Sequence, residues 1–121
     1  METQTDSIVE KRRFQRMDSS LPLKYKNLKT ATIPMESITK DIGEGGIRFK
    51  TSEFISLACR LVVEITLPMV PKPIKAISKV AWIRKLSSGE QYELGNQFLD
   101  ISKEDKALIV DYMGRLSGAN L

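Results

Sequence analysis

Two short stretches of this sequence carry residue types that do chemistry. The first, KRRFQR at residues 11 to 16, has Arg12 and Arg16 in the pattern R-x-x-x-R with Arg13 between them. A guanidinium is a planar fork that grips phosphate through paired hydrogen bonds and can lay its face on a flat ring. The second, KDIGEGG at residues 40 to 46, sets Asp41 ahead of Gly43, Gly45 and Gly46. Glycines let a main chain approach a ligand closely, since no Cβ intervenes. The N–H groups of such a turn can line up as an anion nest, and the aspartate adds an acceptor suited to the N–H groups of a guanine edge. Each stretch also has a plain reading, as a solvated basic tail and a glycine-rich hairpin turn. The turn is not a phosphate-binding loop of the Walker type, because no Gly-Lys-Ser/Thr follows. It is not a dinucleotide fingerprint either, because the spacing is wrong and a strand comes next.

Little else in the chain advertises reactivity. There is no histidine among the 121 residues, which removes the usual general base near neutral pH and the commonest metal ligand. No catalytic residue, metal site or cofactor is therefore expected. The single cysteine, Cys59, opens an apolar strand pattern and reads as a buried structural thiol. One cysteine cannot form an internal disulfide, which fits a reducing cytoplasm. The N-terminal residues contain no apolar core of signal-peptide length, and the run LVVEITLPMV is interrupted by Glu64 and Pro68. It is too short to span a bilayer, so a cytoplasmic protein without membrane insertion is expected. A net charge of +4 allows an anionic partner without demanding one.

The elements that must position the two stretches are mostly strands. Leu21, Leu23 and Tyr25 alternate with Pro22, Lys24 and Lys26, the period-2 pattern of a half-buried strand. TATIPMESIT, at residues 30 to 39, is rich in β-branched residues and contains Pro34, which predicts an edge strand or a bulge. DIGEGG then reads as a tight turn. GIRFKT resumes the alternation, with Ile47 and Phe49 on one face. Leu61, Val63, Ile65 and Leu67 share a face in RLVVEITL, IKAISKVAWIRK is a long β-rich run, and Tyr92, Leu94 and Phe98 share a parity. The period changes near the end. Leu108, Ile109, Tyr112, Met113 and Leu116 recur at helical spacing, after a capping box of Ser102 and Asp105. Short turns between about six strands predict a mainly β, six-stranded antiparallel barrel with a C-terminal α-helix. Residues 1–9 read as a flexible tail and 10–118 as one domain.

The arginine pair, followed 25 residues after Arg16 by D-x-G-x-x-G between two strands, resembles the PilZ domain, the bacterial receptor module for cyclic di-GMP. That family pairs R-x-x-x-R with a downstream [D/N]-x-S-x-x-G. Arg12 and Arg16 match the first motif; Asp41 and Gly46 match the second. KVAWIRK and GNQFLDISKEDKALIVDYM look like the family's last two strands and terminal helix. The resemblance implies a barrel of the kind counted above and a division of roles. Arg12 and Arg16 would hold phosphates and stack on guanine, with Arg13 as a helper. Asp41 would accept hydrogen bonds from guanine, the turn through Gly43 and Gly46 would lie against the ligand, and Trp82 would supply a stacking wall. It further implies a receptor without catalysis that signals to a partner protein. Gly43 stands where the family has serine, so one hydroxyl donor is missing. That departure leaves open a protein-interaction adaptor with a degenerate nucleotide site. A single-stranded nucleic-acid binder is a further alternative; sparse aromatic residues and clustered cations argue against it.

Overall fold

Alternation of apolar and polar residues drives this chain into strands. In the computed structural model, which describes residues 16–29, 33–87 and 89–118, seven of them form. They are β1 (Arg16–Asp18), β2 (Pro22–Asn27), β3 (Met35–Gly43), β4 (Gly46–Thr51), β5 (Arg60–Ile65), β6 (Ile74–Lys85) and β7 (Tyr92–Ile101), and a single helix, α1 (Lys103–Gly118), follows. All pairings are antiparallel, and β3, β2, β5, β6, β7 and β4 form a ring closed by the β3–β4 pair. This is the expected six-stranded barrel with its C-terminal helix, and closure removes the unpaired edges that an open sheet would expose. One strand is additional: β1 pairs with the Asp41–Gly43 end of β3, beyond the stretch that pairs with β2.

Inward side chains fill the barrel. Leu23, Ile42, Ile47, Phe49, Leu61, Val63, Ile65, Ile74, Val80 and Leu94 are buried, and Ile109 of α1 inserts from one end. The helix begins as the capping box predicts, with the Asp105 N–H donating to Ser102 Oγ at 3.0 Å. Its stripe of Leu108, Tyr112 and Met113 packs against the barrel core. Tyr25 is buried beside Phe49, with its hydroxyl 2.6 Å from Thr51 Oγ1. Cys59 is half-buried against the core, less enclosed than its sequence context suggests. Among the described residues, no helix is long and apolar enough to cross a membrane.

One expectation needs correction. DIGEGG is not a turn throughout: Asp41, Ile42 and Gly43 belong to β3, and only Glu44 and Gly45 turn. Ladder pairing with β1 and β4 on either side holds these residues extended, and extended backbone is open to glycine as to any residue. Arg16, the last residue of the arginine segment, starts β1 and faces Gly43 across the ladder.

Candidate functional site

The outer wall of the barrel gathers most of the singled-out residues in one place. Asp18 of β1 lies opposite Asp41 of β3, Asp41 opposite Arg48 of β4, Arg48 opposite Gly95 of β7, and Gly95 opposite Trp82 of β6. Partners across a ladder project to the same side, so these five positions form a row on the outside. Arg16 and Gly43 face each other one step along it.

Two bulges put the row there. β3 shifts register between Thr39 and Asp41. Thr39 therefore points into the barrel, fully buried, while Lys40 and Asp41 both turn outward and Ile42 turns in again. β6 shifts between Val80 and Trp82, so Val80 is buried while Trp82 is 39% exposed. Without the extra residue in each strand, Asp41 and Trp82 would share the inward parity of Thr39 and Val80. Bulges commonly re-aim side chains in this way.

Asp41 is the electrostatic centre. Arg16 Nη1 donates to Asp41 Oδ1 at 2.9 Å, and Arg48 Nε lies 2.9 Å from Asp41 Oδ2. The Arg48 N–H has no aligned acceptor among the described residues, so this second contact is an attraction of charges and not a directed hydrogen bond. Arg48 Nη1 is also 3.7 Å from Glu93 Oε2, and Arg84 pairs with the other oxygen of Glu93. Three guanidiniums and two carboxylates thus alternate across β1, β3, β4, β7 and β6. The carboxylates are largely covered, with Asp41 8% and Glu93 3% exposed, while the arginine side chains reach solvent. Beside this chain of charges is an open polar hollow of about 500 Å³, lined by Asp18, Ser19, Ser20, Lys40 and Arg48.

The two glycines of the wall have distinct causes. A Cβ on Gly95 would meet the Trp82 indole at 2.1 Å, so the indole lies over bare main chain. A Cβ on Gly46 would meet the Asn96 carbonyl oxygen at 2.0 Å. Close packing of β4 on β7 therefore already requires glycine there.

The fold brings Arg16, Asp41, Gly43 and Trp82 onto one face, with Gly46 at its edge. Arg12, Arg13 and residues 1–9 lie outside the described residues. Sequence reading missed Arg48, Glu93, Arg84 and Lys40. Their only signal was an outward parity that many charged surface residues share, and for Lys40 the parity itself depends on the bulge.

The PilZ domain family model matches residues 10–115. No curated protein matches the sequence. Among solved structures, the Bacillus subtilis inhibitor of motility MotI/DgrA superposes with a TM-score of 0.73 at 19% identity, covering 88% of this chain and 51% of that one. The PilZ domain of Escherichia coli YcgR with c-di-GMP gives 0.64 at 15% identity, covering 91% and 98%. The K. pneumonia MrkH–c-di-GMP complex gives 0.69 at 16% identity, covering 90% and 53%. The chain spans about half the length of the MotI/DgrA and MrkH chains.

Proposed function

This chain belongs to the PilZ domain family, and from that premise we propose that it is a receptor for cyclic di-GMP, bound on the outer wall around Asp41. The observation that carries the reading is the 2.9 Å contact between Arg16 and Asp41. It joins the arginine segment to the glycine-containing stretch across 25 residues of sequence, on a face that is open to solvent. YcgR and MrkH, whose folds this chain shares, have been solved with the same dinucleotide.

The chemistry assigns roles. Arg16 carries a guanidinium fork that exchanges the Asp41 carboxylate for a ligand phosphate, and Arg12 and Arg13 precede it on the same segment. Asp41 accepts from the N–H groups of a guanine edge. Arg48, tied on its other side to Glu93, stays on Asp41 when Arg16 leaves, so the carboxylate is never left without a cation. Gly43, opposite Arg16 in β3, adds no side chain between ligand and main chain. Trp82 presents the free face of its indole to a base, as aromatic platforms do for nucleotides, where each stacked base contributes about 1–3 kcal/mol. The protein acts by binding, without catalysing a reaction, and signals from the cytoplasm to a partner protein.

The test is a calorimetric titration with cyclic di-GMP against GMP and GTP, read in parallel by the fluorescence of Trp82, the only tryptophan in the chain. Saturable binding of the dinucleotide with a change in Trp82 emission, and at least tenfold weaker binding of GTP, is the expected result. Equal binding of GTP would reduce the site to a basic patch. No binding by the folded protein would favour the adaptor reading, in which Gly43 marks an abandoned site.

A further inference from the structure

We propose that the end of the barrel where β2 ends and β5 begins is a docking groove for an acidic, apolar segment of a partner protein. This goes beyond the nucleotide reading and does not rest on it. The proposed nucleotide site lies toward the Gly43 end of β3; the groove lies between the Asn27 end of β2, the β4–β5 loop and the start of β5 at Arg60.

Three observations carry the inference. The first is exposed apolar surface. Of ten large hydrophobic side chains exposed among the described residues, three line one hollow here: Leu28, Phe54 and Leu57. Phe54 and Leu57 are 61% and 59% exposed. Scattered single exposures are ordinary, but a contiguous patch of this kind marks an interaction surface. The second is shape. Leu28, Lys29, Phe54, Leu57, Cys59 and Arg60 share one open hollow of about 630 Å³, large enough to seat two or three side chains.

The third observation is charge. Among the described residues, the charged ones lining the hollow are cations, Lys29 and Arg60. Arg60 faces Lys79 across the β5–β6 ladder, and Lys26 projects from the same outer wall. Carboxylates of the neighbouring wall have cationic or N–H partners away from the hollow: Glu36 lies opposite Lys24, Glu64 lies 3.6 Å from Lys75, and Asp105 accepts from the Lys75 N–H. Glu53 precedes Phe54 in the loop but does not line the hollow. The groove thus offers an apolar floor with a cationic rim, the complement of apolar anchors flanked by Asp or Glu. Charge complementarity of this kind sets partner choice and association rate. A bilayer would be met by convex apolar tips, and a nucleic acid by cations without an apolar hollow, so a protein segment fits best.

The experiment is a selection of a phage-displayed random peptide library, with peptides of about twelve residues, on the full-length protein. Enriched peptides should carry net negative charge and two or more large apolar residues. A synthetic copy should bind the wild type, weaken as salt rises, and lose tenfold or more in affinity with Leu57→Asp and with Arg60→Glu. Both residues are exposed, so both variants should keep the wild-type melting temperature; if either does not fold, Phe54→Ser replaces it. The proposal is overturned by an absence of enrichment, by basic winners, or by peptides indifferent to these substitutions. It is also overturned if phosphatidylglycerol vesicles or duplex DNA show the same dependence on Leu57 and Arg60. Light scattering that reveals a dimer abolished by Leu57→Asp would assign the groove to a second copy of this chain instead.

Discussion

Replacing Gly95 by alanine puts a methyl group where the Trp82 indole lies. The new Cβ would be 2.1 Å from Nε1 and 2.2 Å from Cε2, far inside van der Waals contact. Gly95 is held in two ladders, against Arg48 and against Trp82, so the main chain resists moving and the indole must swing off the wall. A tryptophan buries on the order of 150–250 Å², and Trp82 is already 39% exposed. About 100–150 Å² therefore stands to be lost. At roughly 25 cal/mol per Å² that is about 2.5–4 kcal/mol if the indole is wholly released, and about 1–3 kcal/mol if it resettles on a neighbour. Because Trp82 is the only tryptophan, its emission isolates the event. Gly95→Ala should shift emission to the red, raise quenching by acrylamide, and lower the melting temperature by several degrees. On the proposed function it should also weaken cyclic di-GMP by about 1–3 kcal/mol, the contribution of one stacked base. Arg16, Asp41 and Arg48 are untouched, so a phosphate-only contact would survive. Unchanged emission and stability would refute the reasoning, because the indole could not then be lying on Gly95. A changed emission with unchanged binding would remove Trp82 from the ligand site alone.

Three further expectations follow from the geometry. Arg16→Ala should cost about 1.5–3 kcal/mol of cyclic di-GMP binding and less than about 1 kcal/mol of stability in urea melts, because Asp41 keeps Arg48; a stability loss as large as the binding loss would make Arg16 structural. Gly46→Ala drives a Cβ to 2.0 Å from the Asn96 carbonyl oxygen, a main-chain atom that cannot turn aside, and should destabilise by about 1–3 kcal/mol or more; a wild-type melting temperature would show that β4 does not pack on β7 in this way. Burial raises the pKa of Tyr25, with the Glu53 charge adding and the Thr51 hydrogen bond opposing. A phenol that holds its proton more tightly when folded contributes stability that is complete below its unfolded pKa of about 10 and is lost as pH rises through the folded value. Tyr25→Phe should cost about 1 kcal/mol near neutrality for the lost hydrogen bond and flatten the decline of stability above pH 10; an unchanged alkaline slope would count against this burial.

Much of the barrel could be read from period alone, because a closed sheet with one wet side imposes strict alternation. Leu61, Val63, Ile65 and Leu67 share a parity in the sequence and are all buried. Reading failed where the chain departs from that period. Asp41 and Trp82 sit outside the barrel because β3 and β6 each take an extra residue, and nothing in TATIPMESITKDI or SKVAWIRK marks where the extra residue falls. The predicted bulge near Pro34 lies several residues from the observed one. Arg48, Glu93 and Arg84 escaped for another reason. They come from three strands and meet only through ladder register, which a pairwise motif cannot encode. The motif found Arg16 and Asp41 because the family spacing carries that register implicitly.

The charge chain bears on how such a site can be selective. Both oxygens of Asp41 face guanidiniums, so a ligand meets no idle acceptor. On the proposed reading it gains only the difference between its own contacts and those it displaces. A lone phosphate can draw Arg16 away but offers Asp41 nothing in return, and a lone guanine can hydrogen-bond Asp41 but leaves Arg16 without a new partner. A ligand with guanine and phosphate at a fixed separation satisfies both groups in one step. The exchange then costs little, because hydrogen bonds to charged groups contribute about 1.5–3 kcal/mol each and none is left unmade. Arg48 makes this possible by staying. Clasped between Asp41 and Glu93, with Arg84 closing the far side, it would hold the buried carboxylate in place throughout, so that on the proposed reading discrimination arises at the Arg16–Asp41 pair.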